Sequence, residues 1–330
     1  MNKILITGGA GYIGRAIVNS LHKNNNLYVL DNLSTGNKFL LKKKCKFIKK
    51  DLNNLNFLKK FLDIERFDII IHLAASTNVS EAERNKKKYF KNNIVNTLNL
   101  LKCLKNVKLK SLIFSSSAGV YGKSPPPVDE SSLIKPINYY SYTKKICEKN
   151  IINYSKKYGF NYFILRYFNV CGSSKKDDIG QLNKTNDSLI SNLSIQSLKK
   201  KPFVKIYGAN YDTKDGTCVR DYIHVLDIAS IHSKLIKYIK NKNKSLIINC
   251  GYGKGYTVME VIKNYKKVIK RKIIIKNMKR RKGDIPISFA KTSLLKKLLK
   301  WRPRFNNLTQ ILKSSVEWQK KIKFSKSYTN

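Results

Sequence analysis

Short, unbroken apolar runs recur through the first half of the chain, and the stretches between them return apolar residues every three or four positions. Ile4-Leu5-Ile6-Thr7 reads as a short buried strand, Leu27-Tyr28-Val29-Leu30 as the second, Phe47-Ile48 as part of a third, and Ile69-Ile70-Ile71-His72-Leu73-Ala74-Ala75 as a fully apolar fourth. Phe114-Ser115-Ser116-Ser117-Ala118-Gly119-Val120-Tyr121-Gly122 is an apolar strand ending in hydroxyls, and Leu165-Arg166-Tyr167-Phe168-Asn169-Val170 is another ending in polar residues. The helical period predicts a helix running to about Leu21, a long one over 85–104 carrying Asn92-Asn93, and one over 228–239. Alternation of this kind predicts an α/β fold around a doubly wound parallel sheet. From Gly172 to Asp187 the composition turns to Gly, Ser, Asp, Asn and Lys, which predicts a loop crossing to a smaller domain. Leu246-Ile247-Ile248-Asn249-Cys250-Gly251 reads as a strand returning to the first domain, and two helical segments flank Trp301-Arg302-Pro303. The expected division is a first domain over 1–170, joined by about 218–250, and a C-terminal α/β domain from 171–217 and 251–330.

Composition changes this picture little. The 330 residues are 42% hydrophobic, enough for one large core or two domains. Lys and Arg total 67 against 20 acids, a formal net charge of +47, which raises the question of a nucleic-acid partner. The basic runs (Lys42–Lys44, Lys86–Lys88, Lys199–Lys201, Lys270–Lys272) are dispersed, so solvated faces explain them better and no nucleic acid is expected. Six cysteines stand singly, without a Cys-x-x-Cys pair, which points to reduced thiols rather than a metal or disulfide framework. No signal segment opens the chain and no apolar run reaches the ~20 residues of a membrane span, so a soluble cytoplasmic protein is expected.

The chemistry begins at Gly8-Gly9-Ala10-Gly11-Tyr12-Ile13-Gly14, placed between a strand and a helix. Gly9, Gly11 and Gly14 match the Rossmann dinucleotide fingerprint, in which glycines let the backbone approach a pyrophosphate on the helix N-terminus. Asp31 ends the second strand, where a carboxylate bonds ribose hydroxyls and repels a 2′-phosphate, selecting NAD over NADP. Asp51-Leu52 follows the third strand and offers an adenine contact, and the small residues ending the fourth, Ala74 among them, border the cofactor. His72, inside that strand, reads as a satisfied core histidine. Within 136–144, Tyr140 and Lys144 stand four apart, on one face of a helix. A phenol titrates at about 10, and a neighbouring ammonium is expected to lower that and make Tyr140 a proton acceptor. Ser117 completes a Ser/Tyr/Lys set.

These motifs resemble the extended short-chain dehydrogenase/reductase family along essentially the whole chain. The glycine turn, with Gly8, Gly11 and Gly14 at the family's spacing, the serine run, Tyr140/Lys144 and Arg166 to Asn169 are shared widely in it. The segment from Tyr207 to Val225 and Arg281-Lys282-Gly283-Asp284 are similar to its 4-epimerase branch. The resemblance implies that Ser117, Tyr140 and Lys144 are catalytic. It implies that Gly8, Gly11, Tyr12, Ile13, Gly14, Asp31, Asn32, Asp51, Leu52, Ala74, Asn92, Ser115, Tyr140 and Lys144 hold NAD. It further implies that Ser117, Asn169, Leu189, Tyr207, Arg220, Arg281, Asp284 and Ser288 surround a UDP-sugar. Arg220 and Arg281 offer forked donors for a diphosphate, and Tyr207 can stack on uracil. The implied reaction is NAD-dependent 4-epimerisation of UDP-glucose and UDP-galactose through a 4-keto sugar. A small Ser288, where restricted relatives carry tyrosine, extends the expected range to the N-acetylated sugars. A homodimer through the helices starting near Asn85 and Tyr140 is also implied.

Four positions depart from the family. Asn138-Tyr139-Tyr140-Ser141 replaces the usual Asn-Pro-Tyr-Gly, Thr77 replaces a lysine, and Ser191 replaces the proline after Leu189-Ile190. A sugar-nucleotide dehydratase on the same fold needs an acid and a base beside the serine. Ala118-Gly119 cannot move protons, which favours simple epimerisation.

Overall fold

In the computed structural model the apolar runs pair into a seven-stranded sheet in the order Leu246–Cys250, Asn161–Tyr167, Ser111–Ser117, Ile69–His72, Asn2–Thr7, Asn25–Asp31, Lys46–Lys49. Residues 1–41, 44–182, 188–242, 244–281 and 283–323 are described. Lys282 of the 281–284 motif, Lys42 and Lys43 of the first basic run, and the end of the 172–187 loop lie outside the described residues. Neighbouring strands run parallel: Ile6 faces Val29 on one side and Ile71 on the other, and Phe114 faces Ile164. Ile4, Leu5, Ile6, Ile70, Ile71, Leu112 and Ile113 are buried, so these strands need apolar residues on both faces, and the sequence supplies them without alternation. The chain winds outward from Asn2–Thr7 on one side and returns on the other as Ile69–His72. In doubly wound sheets such a reversal marks the C-terminal ends of the central strands as the place where ligands bind.

The chain forms two compact units. The first comprises Met1–Gly122, Leu133–Tyr167 and Ala229–Ile248. Its core joins Leu5, Leu30, Ile70, Leu112 and Ile164 of the sheet to Leu58, Leu62, Leu100, Leu101 and Ile151 of its helices. The second comprises Lys123–Ser132, Phe168–Ile228 and Asn249–Asn330. In it Val219–His224 pairs with Gly255–Thr257, with Ile287–Ser288 and with Asn169–Cys171, and Phe203–Tyr207 pairs with Ile274–Met278. The segment rejoining the first unit begins at Ala229, later than the expected 218, because Val219–His224 is the shared strand of the second unit's sheet.

Two predicted elements divide. The apolar run 165–170 is two strands, Asn161–Tyr167 in the large sheet and Asn169–Cys171 in the small one, with the Phe168 N–H donating to Cys250 O at 3.1 Å between them. The helix expected over 85–104 is Lys86–Tyr89 and Asn96–Lys102, joined by a π turn, Phe90–Val95. The final helices are Ser293–Leu299 and Leu308–Lys323, and Trp301 between them stacks on Tyr252 with 8° between the ring planes. Among the described residues no helix is long and apolar enough to cross a membrane. All six cysteines are free.

Candidate active site

The first unit carries a glycine cradle. Gly8 has φ +73°, and a Cβ there would meet Ala74 N at 2.6 Å; one on Gly14 would meet Gly8 O at 2.5 Å. Neither position has room for a side chain, so the backbone stays bare where a ligand would approach. Gly11 is the N-cap of helix Tyr12–Leu21, which Tyr12 and Ile13 open. Gly11 has no side chain to cap the helix, and no acid stands in the first turn. An anion is therefore favoured at this end. Asp31 ends its strand buried, accepting from Ala10 N at 3.0 Å and Leu33 N at 2.8 Å. Desolvation raises its pKa, partly offset by those two donors. Asp51 accepts from Asn32 Nδ2 at 2.6 Å and Asn53 N at 2.9 Å, and Leu52 O accepts from Asn99 Nδ2 at 3.2 Å. The cradle therefore fits a dinucleotide: bare backbone at the turn, an unneutralised helix terminus, and carboxylates at the next two strand ends.

Asn92 donates to Ser76 Oγ at 3.1 Å. Its neighbour Asn93, buried by the π turn, makes the larger set of bonds. It accepts from Ser76 N at 2.8 Å and donates to Ser76 O and to Thr143 Oγ1, both at 3.0 Å. Two adjacent asparagines within a helix are a local signal for such a role, since they are poor helix formers. His72 is the core histidine expected. Its ring nitrogens are bonded to Thr7 Oγ1 at 2.7 Å and Thr97 Oγ1 at 2.9 Å, and burial pulls its pKa down to about 3.

Helix Tyr139–Tyr158 presents Tyr140 and Lys144. Asn138 caps it, accepting from Ser141 N at 2.9 Å, a bond worth about 1 kcal/mol. The family's proline would leave no N–H at the first helical position. Here the Tyr139 N–H donates to Glu83 Oε1 at 2.6 Å, so the replacement is satisfied locally. Tyr139 stacks on Tyr142 at 5.9 Å, whereas Tyr140 lies by the Ser117 side chain, which favours its ionised form. Ser117 ends strand Ser111–Ser117 and caps the 3₁₀ turn Ala118–Tyr121, accepting from Gly119 N at 3.1 Å. Lys144 is buried, donates to Ser115 O at 2.8 Å, and lies 5.9 Å from the centre of the Tyr140 ring. The structure thus brings Ser117, Tyr140 and Lys144 together.

The expected depression of the Tyr140 pKa is not observed. Burial pushes the phenol up to about 12, the nearby Ser117 hydroxyl offsetting part of the rise. Although Tyr140 as a whole is part-exposed, its hydroxyl end is desolvated. Lys144 is itself pulled down to about 8 by burial. Desolvation outweighs the attraction of a cation whose own charge is disfavoured.

The second unit holds the remaining residues. Asn169 Nδ2 donates to Asp221 O at 3.0 Å, and Leu189 opens helix Leu189–Gln196, in which the Ser191 N–H reaches the Ser188 cap. Tyr207 ends its strand with the Arg281 guanidinium 4.6 Å from its ring centre. Arg281 also engages Asp284 with Nε at 3.0 Å and Nη2 at 3.3 Å. Arg220 donates to Val219 O at 2.8 Å and lies opposite Ser288 in the strand register. Asp221, buried beneath, accepts from Tyr252 N at 3.0 Å and Gly253 N at 2.9 Å, and burial raises its pKa to about 6. Asn169, Arg220, Ser288, Tyr207, Arg281 and Asp284 are thus carried on or beside its two sheets.

Residues 4–251 match the model of the NAD dependent epimerase/dehydratase family. A UDP-glucose 4-epimerase of Lactobacillus helveticus is 35% identical over 320 residues, 96% of this chain and 97% of that one. Among solved structures, the UDP-glucose-4-epimerase of Stenotrophomonas maltophila, with bound NAD and formylated UDP-arabinopyranose, superposes with TM-score 0.91 at 29% identity. That match covers 98% of this chain and 99% of the other. The UDP-Glc/GlcNAc 4-epimerase of Campylobacter jejuni gives 0.84 at 38% identity, covering 97% and 100%.

Proposed function

We propose, because the chain belongs to the NAD dependent epimerase/dehydratase family, that it interconverts UDP-glucose and UDP-galactose by epimerisation at C4 through a 4-keto sugar. The observation that carries this is the Ser117, Tyr140 and Lys144 cluster in the same unit as the glycine cradle. NAD is the cofactor, held by the 8–14 backbone with Asp31 toward the ribose and Asp51 toward the adenine. Bound and oxidised, NAD supplies what the side chains lack, a reversible hydride acceptor and a positive charge. Tyr140 takes the proton of the sugar 4-hydroxyl. Because its phenol stands at about 12, it holds its own proton at neutral pH until further positive charge joins that of Lys144. Ser117 bonds the same oxygen, and Lys144, fixed on Ser115 O, orients the pair. No second substrate is needed, because hydride and proton both return.

In the second unit Tyr207 stacks on uracil, Arg220 and Arg281 bind the diphosphate, and Asn169, Leu189 and Asp284 complete the contacts. Arg281 already shares its fork with Asp284, so that pair opens or widens as the phosphates are taken. Ser288 leaves room for an acetamido group, and the range then includes UDP-N-acetylglucosamine. The Campylobacter jejuni relative, named for both sugars, supports this extension. The protein acts as a cytoplasmic homodimer through the helices near Asn85 and Tyr140. Phe90 (50% exposed) and Tyr142 (46%) offer large apolar surface there. The deciding experiment is to incubate purified protein with UDP-galactose, without added NAD, and look for UDP-glucose. No conversion, with NAD confirmed bound, overturns the reading.

A further inference from the structure

Arg166 is 1% exposed on strand Asn161–Tyr167, opposite Ser116 in the register. Its Nε and Nη2 donate to the two oxygens of Glu148 at 3.1 and 2.8 Å, and Nη1 donates to Tyr121 OH at 2.9 Å. Ser116 Oγ donates to Glu148 Oε1 at 2.5 Å. None of these four side chains has a part in the proposed proton transfer. Each is nevertheless joined through the chain to a group that has one. Ser116 precedes Ser117, Tyr121 ends the turn that Ser117 caps, and Glu148 lies one helical turn beyond Lys144.

Stability alone gives no reason for this arrangement. Removing two charges from water costs about as much as their attraction returns, and apolar pairs of equal volume are often as stable. An apolar pair, however, cannot hold a serine hydroxyl and a phenol in fixed positions. We propose that the Arg166–Glu148 pair is a positioning device, which grips the chain on both sides of Ser117 and thereby sets its hydroxyl against the helix bearing Tyr140 and Lys144. This rests on the reading of Ser117, Tyr140 and Lys144 as the reacting set. A second effect accompanies it. Glu148 favours the charged form of Lys144 against the burial that disfavours it. The other titratable groups around Lys144 are Tyr140 and Cys147 on its own helix and His72 on the strand behind, with Arg166 beyond Glu148; His72 stays neutral.

The test compares wild type with Ser116→Ala, Glu148→Gln and the double variant Arg166→Met/Glu148→Met, assayed for kcat, KM and pH profile with UDP-galactose, alongside crystal structures of wild type and double variant. A positioning role predicts that the double variant melts cooperatively. Its kcat should nonetheless fall about ten- to a hundredfold, with KM changed by less than about twofold, since a misplacement near 1 Å costs this much. Ser117 is displaced in its crystal structure. Ser116→Ala, which leaves the ion pair whole, shows a smaller loss in the same direction. Glu148→Gln moves the alkaline limb of kcat to lower pH. A double variant with wild-type kcat and an unmoved Ser117 overturns the proposal. Should the double variant fail to fold, a wild-type kcat in Ser116→Ala overturns it. A wild type that does not epimerise defeats the functional reading instead. The position of Ser117 in the two crystal structures then decides this proposal alone: displaced supports it, unmoved refutes it.

Discussion

Tyr139 and Tyr140 are adjacent phenols with opposite prospects. The first stacks outward on Tyr142, and the second meets Ser117. Tyr140→Phe should therefore lower epimerisation by several orders of magnitude while NAD stays bound, and Tyr139→Phe should keep near-native turnover. Assaying both variants with extraction of the co-purified cofactor checks this, and the reverse result would mean that the altered helix start has moved the reacting tyrosine. The same extraction should yield NAD rather than NADP, because a carboxylate at Asp31 would repel a 2′-phosphate. His72 carries a separate prediction. Its pKa falls from 6.5 to about 3 on folding, so between those values the unfolded chain binds the extra proton. The stability from keeping His72 neutral is present above pH 6.5 and is lost as pH falls toward 3, by about 1.4 kcal/mol per unit for one proton. Denaturant unfolding at pH 7 and pH 5 should show a smaller difference in His72→Gln than in wild type. Ser117, Tyr140 and Lys144 were legible because their chemistry is local: a four-residue spacing and a hydroxyl-ended strand. The raised Tyr140 pKa was not, since desolvation depends on atoms brought in by folding. Neither was the grip on Ser117, whose parts lie 18 to 45 residues apart.

Central strands of the large sheet could be read from the sequence because burial on both faces disfavours polar interruption. Breaks within elements were harder to see. Phe168 looks like one more apolar residue, yet there the chain leaves one sheet for another. The π turn at Phe90–Val95 leaves the apolar period of 85–104 nearly unchanged, so only Asn92-Asn93 hinted at it. Deleting one residue from this turn would let it close to a regular α-helix and move Asn92 and Asn93 off Ser76. Such a deletion should therefore weaken NAD binding even where helix content is unchanged by circular dichroism. Two glycine variants separate steric from conformational effects. Gly14→Ala drives a Cβ to 2.5 Å from Gly8 O and should abolish cofactor retention. Gly159→Ala, at φ +76° with nothing within 4 Å, should cost only about 1–2 kcal/mol in unfolding experiments and leave turnover intact.

At the scale of the whole molecule, a charge of +47 keeps copies apart in solution, so an assembled dimer must overcome it with apolar contact. Phe90→Asp with Tyr142→Asp should shift sedimentation from dimer to monomer, and raising salt should strengthen the wild-type dimer; a wild type that sediments as a monomer in both conditions refutes the assignment. The two units are interleaved along the chain, the first being complete only when Ala229–Ile248 has been added. During synthesis at about 5–20 residues per second, the strand Leu246–Cys250 leaves the ribosome on the order of ten seconds after Tyr167. Throughout that interval Asn161–Tyr167 presents an open edge to other nascent chains. A message truncated anywhere before residue 248 therefore yields neither unit, and the pace of translation across 168–250 governs how long that edge stays exposed.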